Sequence, residues 1–336
     1  MTGSKISPTR PYPSAIVVWP GDMQNMLRPN VREPLKSARV DIAAAEADTE
    51  AYINALLMNY VRVNLLGVPL DPTSQSSGLR ALIDKHGENW LHVYRDEEFS
   101  RWLRTPPGAD AVFPEDWGRL LTSALDGSTY FISSHMGATE RIGEHAVGVE
   151  TALAQGLLKC DQVIRIMERN ERARCEAGDI LELRIDDRPV TIFGLSERSN
   201  LDGFETWTAL SEEKGFGAVY SARVFPNVGL HLTTAAGALD RRTVLFDPTL
   251  VSGDDLAKIP GIDLLETHPD DHGNQNAANC LYFPTTGRVL MDDRFEKTME
   301  RVRRTGREVV PCPNAQHAIG AGGLTCRSLR SGWMVA

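Results

Sequence analysis

Hydrophobic and polar positions repeat along the chain with a period of roughly fifty residues, which is typical of arrays of supersecondary units. Each repeat begins with a short apolar strand, turns at Gly, Asp or Pro, returns as a second strand, continues into an amphipathic helix and ends in a β-branched strand. The pattern therefore predicts five ββαβ units. Their hairpins are predicted at 111–133, 180–193, 231–246, 280–291 and 324–335, turning at 125–127, 186–187, 240–241, 286–287 and 331–332.

Apolar residues at helical spacing support the same division of the chain. The helical sets are Ile42, Ile53, Leu56 and Tyr60; Ala146, Val149, Leu153 and Leu157; Phe204, Trp207 and Leu210; and Phe295, Met299 and Val302. The closing strands are predicted at 63–66, 163–166, 219–225, 262–265 and 309–310. Because no single unit can bury its apolar face alone, we expect a closed α/β ring, a five-bladed β/α propeller around one central site.

The first repeat is longer than the others because residues 70–108 intervene, with helical patterns at 79–86 and 97–103. We interpret this segment as an insertion that could act as a lid. Residues 1–336 are expected to form a single catalytic domain that includes it.

Composition fits an enzyme that acts on a small molecule. The chain has 336 residues, 42% of them hydrophobic and 24% charged, with a formal net charge of -9. A negative chain without a Lys/Arg stripe argues against nucleic acid and weakly favours a cationic substrate. No apolar run reaches the roughly 20 residues of a membrane span, and the polar start lacks a signal-peptide core. Five cysteines without CxxC spacing predict reduced thiols, so a cytoplasmic location is expected.

The candidate chemistry lies on equivalent strands of this ring, which should converge on one axis. Cys326 and His231 are predicted on two such strands, with Glu176 near the start of another. A cysteine attacks as the thiolate, and a histidine can protonate a leaving group and then activate water. Glu176 could orient the imidazole of His231.

Two adjacent acids, Glu115 and Asp116, precede the first hairpin. Like charges raise each other's pKa, so burying both is costly unless a cation fills the site. A planar guanidinium with its fork of donors would fit. Taken singly, each candidate has an ordinary explanation: a cysteine or histidine on an apolar strand is usually a core residue, and an acidic turn is usually solvated. Only their joint placement favours a catalytic site.

Two other motifs carry less weight. His268 and His272 have the spacing of zinc ligands on a helix, but Pro269 and Gly273 favour a loop. The glycines of 320–323 are not followed by the helix of a phosphate-binding loop, so we expect them to let the backbone approach a substrate beside Cys326. Neither a metal nor a cofactor is expected.

Eight short stretches together resemble the dimethylarginine dimethylaminohydrolases of the guanidino-group-modifying (pentein) superfamily. They are 40–46, 110–116, 138–144, 178–181, 194–200, 229–232, 277–280 and 324–326. Each is weak alone, but they occur in the family's order over most of the chain. The resemblance implies the pentein fold, with Cys326 as nucleophile, His231 as general acid and then base, and Glu176 as the acid that supports His231.

The resemblance also implies how a substrate is held. Glu115 and Asp116 would hold the guanidinium, Arg141 and Arg198 would bind the α-carboxylate, and Asp110 with the backbone carbonyl of Leu27 would lie near the α-amine. If these arginines and acids have no such role, they are surface salt bridges. The implied reaction passes through a covalent thiouronium on Cys326 and converts dimethylarginine into citrulline and dimethylamine.

Three departures from the family concern the substrate: the 70–108 insertion, Ala177 where a glycine is usual, and His135-Met136 where Arg-Pro is common. We therefore expect a hydrolase of a guanidino compound, with an Nω-methylated arginine as substrate. Arginine deiminase or amidinotransferase activity is the alternative within the superfamily. A non-catalytic arginine-binding protein and a cysteine protease are alternatives from other classes, and a monomer and a homo-oligomer both remain open.

Overall fold

The computed structural model describes residues 12–21, 23, 26, 38–103, 111–137, 141, 144–226 and 230–333. The strands of this part are β1 Ser14–Val18, β2 Arg62–Leu66, β3 Leu91–Val93, β4 Gly118–Thr122, β5 Thr129–Ser133, β6 Gln162–Arg165, β7 Ile180–Ile185, β8 Arg188–Leu195, β9 Ala218–Arg223, β10 Ala236–Ala238, β11 Thr243–Phe246, β12 Asp263–Glu266, β13 Cys280–Phe283, β14 Arg288–Asp292, β15 Val309–Cys312 and β16 Ser328–Ser331.

These strands form five small mixed sheets, as the repeat pattern predicts. Four sheets have the orders β4-β5-β6, β7-β8-β9, β10-β11-β12 and β13-β14-β15, and the fifth has the order β16-β1-β2-β3. In each three-stranded sheet the first two strands are antiparallel and the last two are parallel. The predicted ring of five ββαβ units is therefore confirmed.

The helices follow the predicted apolar spacing, with small differences at their ends. They are Ile42–Met58, Ser77–His86, Glu97–Trp102, Glu150–Ala154, Ile166–Arg169, Leu201–Lys214, Leu232–Ala235, Gly253–Leu256, Glu296–Arg303 and Ala315–Ile319. Local capping explains one set of bounds: the Asn200 side chain accepts from the Gly203 N–H, and Gly215, at φ 70°, ends the helix in the left-handed region. Tyr60 and Leu157, assigned to helices from their spacing, lie beyond the helix ends.

The hairpin of β7 and β8 shows why the residues of a turn predict its position. Asp186 and Asp187 have φ of 49° and 61°, and they join strands that pair from Ile185–Arg188 to Ile180–Phe193. Two consecutive residues with positive φ are what a tight hairpin turn requires, and Asp tolerates that conformation. The predicted turn at 186–187 is confirmed.

The hairpin predicted at 324–335 is wrong in its second strand. The antiparallel partner of β16 is β1, with Ile16 opposite Leu329 and Val17 opposite Ser328. Residues 334–336 lie outside the described residues. The buried hydroxyl of Tyr52 also lies 2.7 Å from Oγ of Ser328. An early strand therefore completes the sheet that β16 begins, which closes the ring.

The segment 70–103 extends the first sheet. β3, which the sequence pattern missed, pairs in parallel with β2. Further along, Phe99 and Leu103 are buried in the same cluster as Met23, Met26 and Phe113. Residues 104–108 lie outside the described residues, and the lid role of the segment stays a prediction.

The inner strands β4, β7, β10, β13 and β16 position the site. Each begins directly after a short turn or helix that carries polar residues. These preceding segments make mutual contacts, such as that between Pro114–Trp117 and Thr325–Arg327. Apolar clusters fill the spaces around the sheets. In the part of the chain that the structure describes, no helix combines the length and the apolar character needed to cross a membrane.

Candidate active site

The predicted catalytic residues lie in the segments that precede the inner strands. Glu115 and Asp116 lie in the turn Pro114–Trp117, and Glu176 precedes the turn Ala177–Asp179. His231 is the N-cap of the helix Leu232–Ala235, and Cys326 lies in the turn Thr325–Arg327. The prediction that His231 and Cys326 lie on strands is wrong. Both sit one short helical turn before a strand, so their equivalence in the repeat is retained.

Glu176 and His231 form a fully buried pair. Oε2 of Glu176 lies 2.8 Å from Nε2 of His231, and the side chains are 0% and 2% exposed. The Gly137 N–H donates to Oε1 of Glu176 at 2.7 Å, and Nη1 of Arg198 donates to the same oxygen at 3.1 Å. Burial acts to raise the pKa of Glu176, but the His231 bond and the Arg198 charge hold it below its usual range. This carboxylate stays ionised against the imidazole.

Asp116 approaches His231 from its other ring nitrogen. Oδ1 of Asp116 lies 3.8 Å from Nδ1 of His231, and that nitrogen is buried without a hydrogen-bond partner among the described residues. Burial acts to lower the pKa of His231, but the charge of Asp116 and the Glu176 bond raise it to about 9. The imidazole is therefore protonated at neutral pH, as a general acid must be.

Glu115 is already paired within the chain. Its Oε1 accepts from Nη2 of Arg119 at 3.0 Å and from Nη2 of Arg330, and its Oε2 accepts from the Thr325 hydroxyl at 2.9 Å. Burial acts to raise the pKa of Glu115, but Arg330 and Arg119 hold it below its usual range. Both oxygens of Asp116 are occupied as well, since Oδ1 accepts from the Gly178 N–H at 3.1 Å and Oδ2 accepts from Arg141. Of the two acids, Asp116 is the one that the structure places against the unpartnered nitrogen of His231.

Cys326 is 3% exposed and lies beside these acids. Burial and the charges of Glu115 and Asp116 raise the pKa of its thiol well above the usual value, while hydrogen bonds from the Gly323 backbone and the Thr325 side chain act against this rise. Without a bound cation the sulfur is therefore a neutral thiol. A positive group placed beside the acids would favour the thiolate.

The two predicted carboxylate-binding arginines pair with acids of the chain. Arg141 donates to Glu144 through Nε and Nη2, at 2.6 and 2.7 Å, and to Oδ2 of Asp116 through Nη1 at 2.7 Å. Arg198 contacts Glu176 as described above. Leu27 and Asp110 lie outside the described residues. The binding of an α-carboxylate by the arginines, and of an α-amine by Leu27 and Asp110, stays a prediction.

One group of side chains has the donor atoms of a metal site. Ligand atoms of Asp116, Glu176 and His231 lie within 4.8 Å of one another. The guanidinium groups of Arg141 and Arg198 already contact the two carboxylates, and a protonated His231 cannot ligate a metal through a lone pair. The charges of the two carboxylates are therefore already balanced by side chains of the chain itself.

Several polar residues that surround the site were missed from the sequence. They are Arg119, Asp179, Asn279, Thr325 and Arg330, all of them buried or half-buried. Arg119 lies on β4 and Arg330 on β16, and the sequence pattern singled out neither residue. Both also line a cavity of about 1400 Å³ whose wall includes residues of β4, β7, β10, β13 and β16. Arg119 and Arg330 could have been identified from the sequence, because each is a charged residue within a predicted hairpin.

No family model matches the chain. An uncharacterized protein of Aeropyrum pernix is 28% identical over 229 residues, 66% of this chain and 72% of the relative. The N(G),N(G)-dimethylarginine dimethylaminohydrolase of Pseudomonas aeruginosa is 27% identical over 222 residues, 66% of this chain and 76% of the relative.

Solved structures share the fold at lower identity. The same Pseudomonas aeruginosa enzyme, as a cysteine-to-serine mutant complexed with citrulline, matches with a TM-score of 0.64 and 22% identity over 95% of this chain and 99% of that one. The N-terminal domain of ArgZ, an arginine dihydrolase from cyanobacteria, matches with a TM-score of 0.65 and 16% identity over 95% and 97%. Unliganded AgrE matches with a TM-score of 0.66 and 17% identity, over 95% of this chain and 40% of AgrE.

Proposed function

Because the chain is a dimethylarginine dimethylaminohydrolase-like member of the pentein superfamily, we propose that it hydrolyses a guanidino compound through Cys326, with an Nω-methylated arginine as its substrate. The observation that carries the proposal is the buried Glu176–His231 pair with Asp116 on the free nitrogen of His231. The Pseudomonas relative is named for the same reaction. A general acid, an anionic site for a guanidinium and a cysteine then lie in the segments that precede the inner strands.

The charge of the substrate prepares the nucleophile. The guanidinium binds beside Asp116 and offsets the negative charge that keeps the Cys326 thiol protonated, so the thiol releases its proton to solvent and the thiolate attacks the guanidinium carbon. A new C–S bond forms and a tetrahedral adduct results. Binding and activation are coupled, which suits an enzyme whose resting cysteine is unreactive.

His231 then serves twice. As an imidazolium it protonates the dimethylamine nitrogen, the C–N bond breaks, and a thiouronium remains on Cys326. The neutral imidazole next takes a proton from water, which attacks the same carbon, and the C–S bond breaks to release citrulline. Glu176 and Asp116 stabilise the imidazolium during both steps.

The test is citrulline formation by the purified protein from asymmetric dimethylarginine, monomethylarginine and arginine in parallel. Cys326→Ser is the blank, and Cys160→Ser, which changes a half-buried cysteine outside the site, is the matched control. Citrulline and dimethylamine from the methylated substrate, absent only with Cys326→Ser, would support the proposal. Turnover by Cys326→Ser equal to that of the unchanged chain would overturn the mechanism.

A second candidate substrate is arginine itself. The arginine dihydrolase ArgZ matches the fold as well as the dimethylarginine enzyme does, with TM-scores of 0.65 and 0.64. Release of ammonia and citrulline from arginine at a rate above that from methylarginines would favour this candidate. It would leave the roles of Cys326 and His231 unchanged.

A further inference from the structure

The fourth unit of the ring contributes no residue to the predicted catalytic set, yet one of its side chains lies between the other units. Asn279 directly precedes β13, as Glu176, His231 and Cys326 precede other inner strands, and it is 1% exposed. A buried amide is costly unless its donors and acceptor are satisfied. The partners of Asn279 therefore indicate what it holds together.

Asn279 bonds to the segments that carry the acid and the nucleophile. Its Nδ2 donates to the Thr233 carbonyl, two residues after His231, at 2.7 Å. The same nitrogen donates to Oγ1 of Thr325, the residue before Cys326, at 2.8 Å, and Oδ1 accepts from the Thr325 N–H at 3.0 Å. One side chain thus fixes the backbone of the Cys326 turn relative to that of the His231 helix.

These bonds also set the direction of the Thr325 hydroxyl. Because Oγ1 accepts from Asn279, its single hydrogen is left for two acceptors: Oε2 of Glu115 at 2.9 Å, and the sulfur of Cys326, whose thiol pKa the Thr325 side chain acts to lower. Glu115 is one of the two acids that disfavour the Cys326 thiolate, and hydrogen bonding to a carboxylate stabilises its charge in place. The hydrogen bonds from Asn279 to Thr325 and from Thr325 to Glu115 therefore link the fourth unit to the negative charge near the Cys326 sulfur.

We propose that Asn279 is a positioning residue, which holds the nucleophile turn against the acid helix and orients the Thr325 hydroxyl onto Glu115. The catalytic meaning of this role rests on the proposed function. The contacts of Asn279 do not rest on the proposed function, because their effect can be measured as the reactivity of the Cys326 sulfur without a substrate.

Asn279→Asp keeps the shape of the side chain and removes its donors. The new carboxylate has no hydrogen to donate to the Thr233 carbonyl. It also accepts the hydrogen of the Thr325 hydroxyl, which then no longer donates to Glu115. More of the negative charge near Cys326 is then uncompensated, and this raises the pKa of its thiol. With substrate contacts intact, kcat should fall about tenfold with little change in KM.

The experiment measures the rate of Cys326 alkylation by iodoacetamide as a function of pH, with the modified peptide quantified by mass spectrometry. In folded Asn279→Asp and in Thr325→Val the alkylation rate at a given pH below the thiol pKa should fall about tenfold, since a one-unit rise in pKa corresponds to the loss of roughly one hydrogen bond to charge. Thr325→Ser, which keeps the hydroxyl, should restore most of the original profile. Asn274→Asp, on the same loop but exposed, is the control that should not move.

The outcomes separate the two proposals. An unchanged alkylation rate across the measured pH range in folded Asn279→Asp overturns the positioning role. If Asn279→Asp fails to fold, Thr325→Val against Thr325→Ser decides the same question through the hydroxyl. Failure of the unchanged chain to form citrulline would count against the proposed function and leave the alkylation result standing.

Discussion

Glu176 accepts a hydrogen bond of 2.8 Å from Nε2 of His231, although 55 positions separate the two residues in the chain. The bond joins the segments in front of two inner strands, β7 and β10. Arg198 and the Gly137 N–H complete the environment of the carboxylate. The pair fixes both the orientation of the imidazole and its protonation state.

Glu176→Gln should lower the pKa of His231, because the charge that favours the imidazolium is lost. We expect kcat to fall about a hundredfold, the usual scale of general-acid catalysis, and the loss of activity on the alkaline side to begin at lower pH. The pH dependence of kcat measures both effects. Glu205→Gln, an exposed change on the helix Leu201–Lys214, is the control. An unshifted alkaline limb would contradict the assignment of His231 as the acid.

Asp116→Asn should have opposite effects on substrate and sulfur. Loss of the negative charge should raise KM for a cationic guanidine by about tenfold or more. It should also lower the pKa of the Cys326 thiol, since Asp116 is one of the charges that raise it. Steady-state kinetics and Cys326 alkylation measure the two changes. Asp186→Asn, in an exposed turn, should alter neither. A thiol pKa that rises in Asp116→Asn would refute the electrostatic account.

His231 should make stability depend on pH. Its pKa is raised from 6.5 to about 9 in the folded chain, so the stabilisation is complete below pH 6.5 and is lost as the pH rises through 9. The change should be on the order of 3 kcal/mol. Urea unfolding at pH 6 and pH 9.5 measures it. The free energy of unfolding should fall less over this range in His231→Gln than in the unchanged chain, whereas exposed His92→Gln should behave like the unchanged chain.

Gly178 leaves no room for a side chain at the site. A Cβ there would lie 2.5 Å from Nδ1 of His231 and 2.7 Å from Oδ1 of Asp116. Gly178→Ala should therefore displace one of these groups and reduce kcat by about a hundredfold or more. At Gly21 a Cβ would meet only Leu103, at 3.8 Å, so Gly21→Ala is the steric control. Full activity of Gly178→Ala, with a normal melting temperature, would show that the site is wider than the structure indicates.

Local signals were enough to predict most of the ring. The turn at Asp186-Asp187 and the β-branched strands after each helix are short-range features, so their positions could be read from neighbouring residues. The equivalence of His231 and Cys326 also followed from the repeat. The prediction that they lie on strands failed because a single helical turn is too short for its apolar spacing to be distinguished from that of a strand.

Long-range pairing set the limit of the prediction. β1 was missed because its antiparallel partner is β16, and β3 because it has three residues beside polar flanks. The ion pair of Glu115 with Arg330 could not be read from sequence, since these two residues meet only after the ring has closed. Asn279 lies in the stretch 277–280 of the family resemblance, but its three hydrogen bonds to Thr233 and Thr325 join residues 46 positions apart and could not be read from sequence.

The pairing of Ile16 with Leu329 has a consequence for how the protein is made. On the ribosome, β1 emerges long before β16, and until then one edge of β1 has no antiparallel partner. Contacts of such high sequence separation slow folding, and an unpaired edge strand invites association with other chains. The turn that carries Cys326 is also synthesised just before β16. A nascent chain therefore remains without its nucleophile, and dependent on protection of that edge, until all five units of the ring have been synthesised.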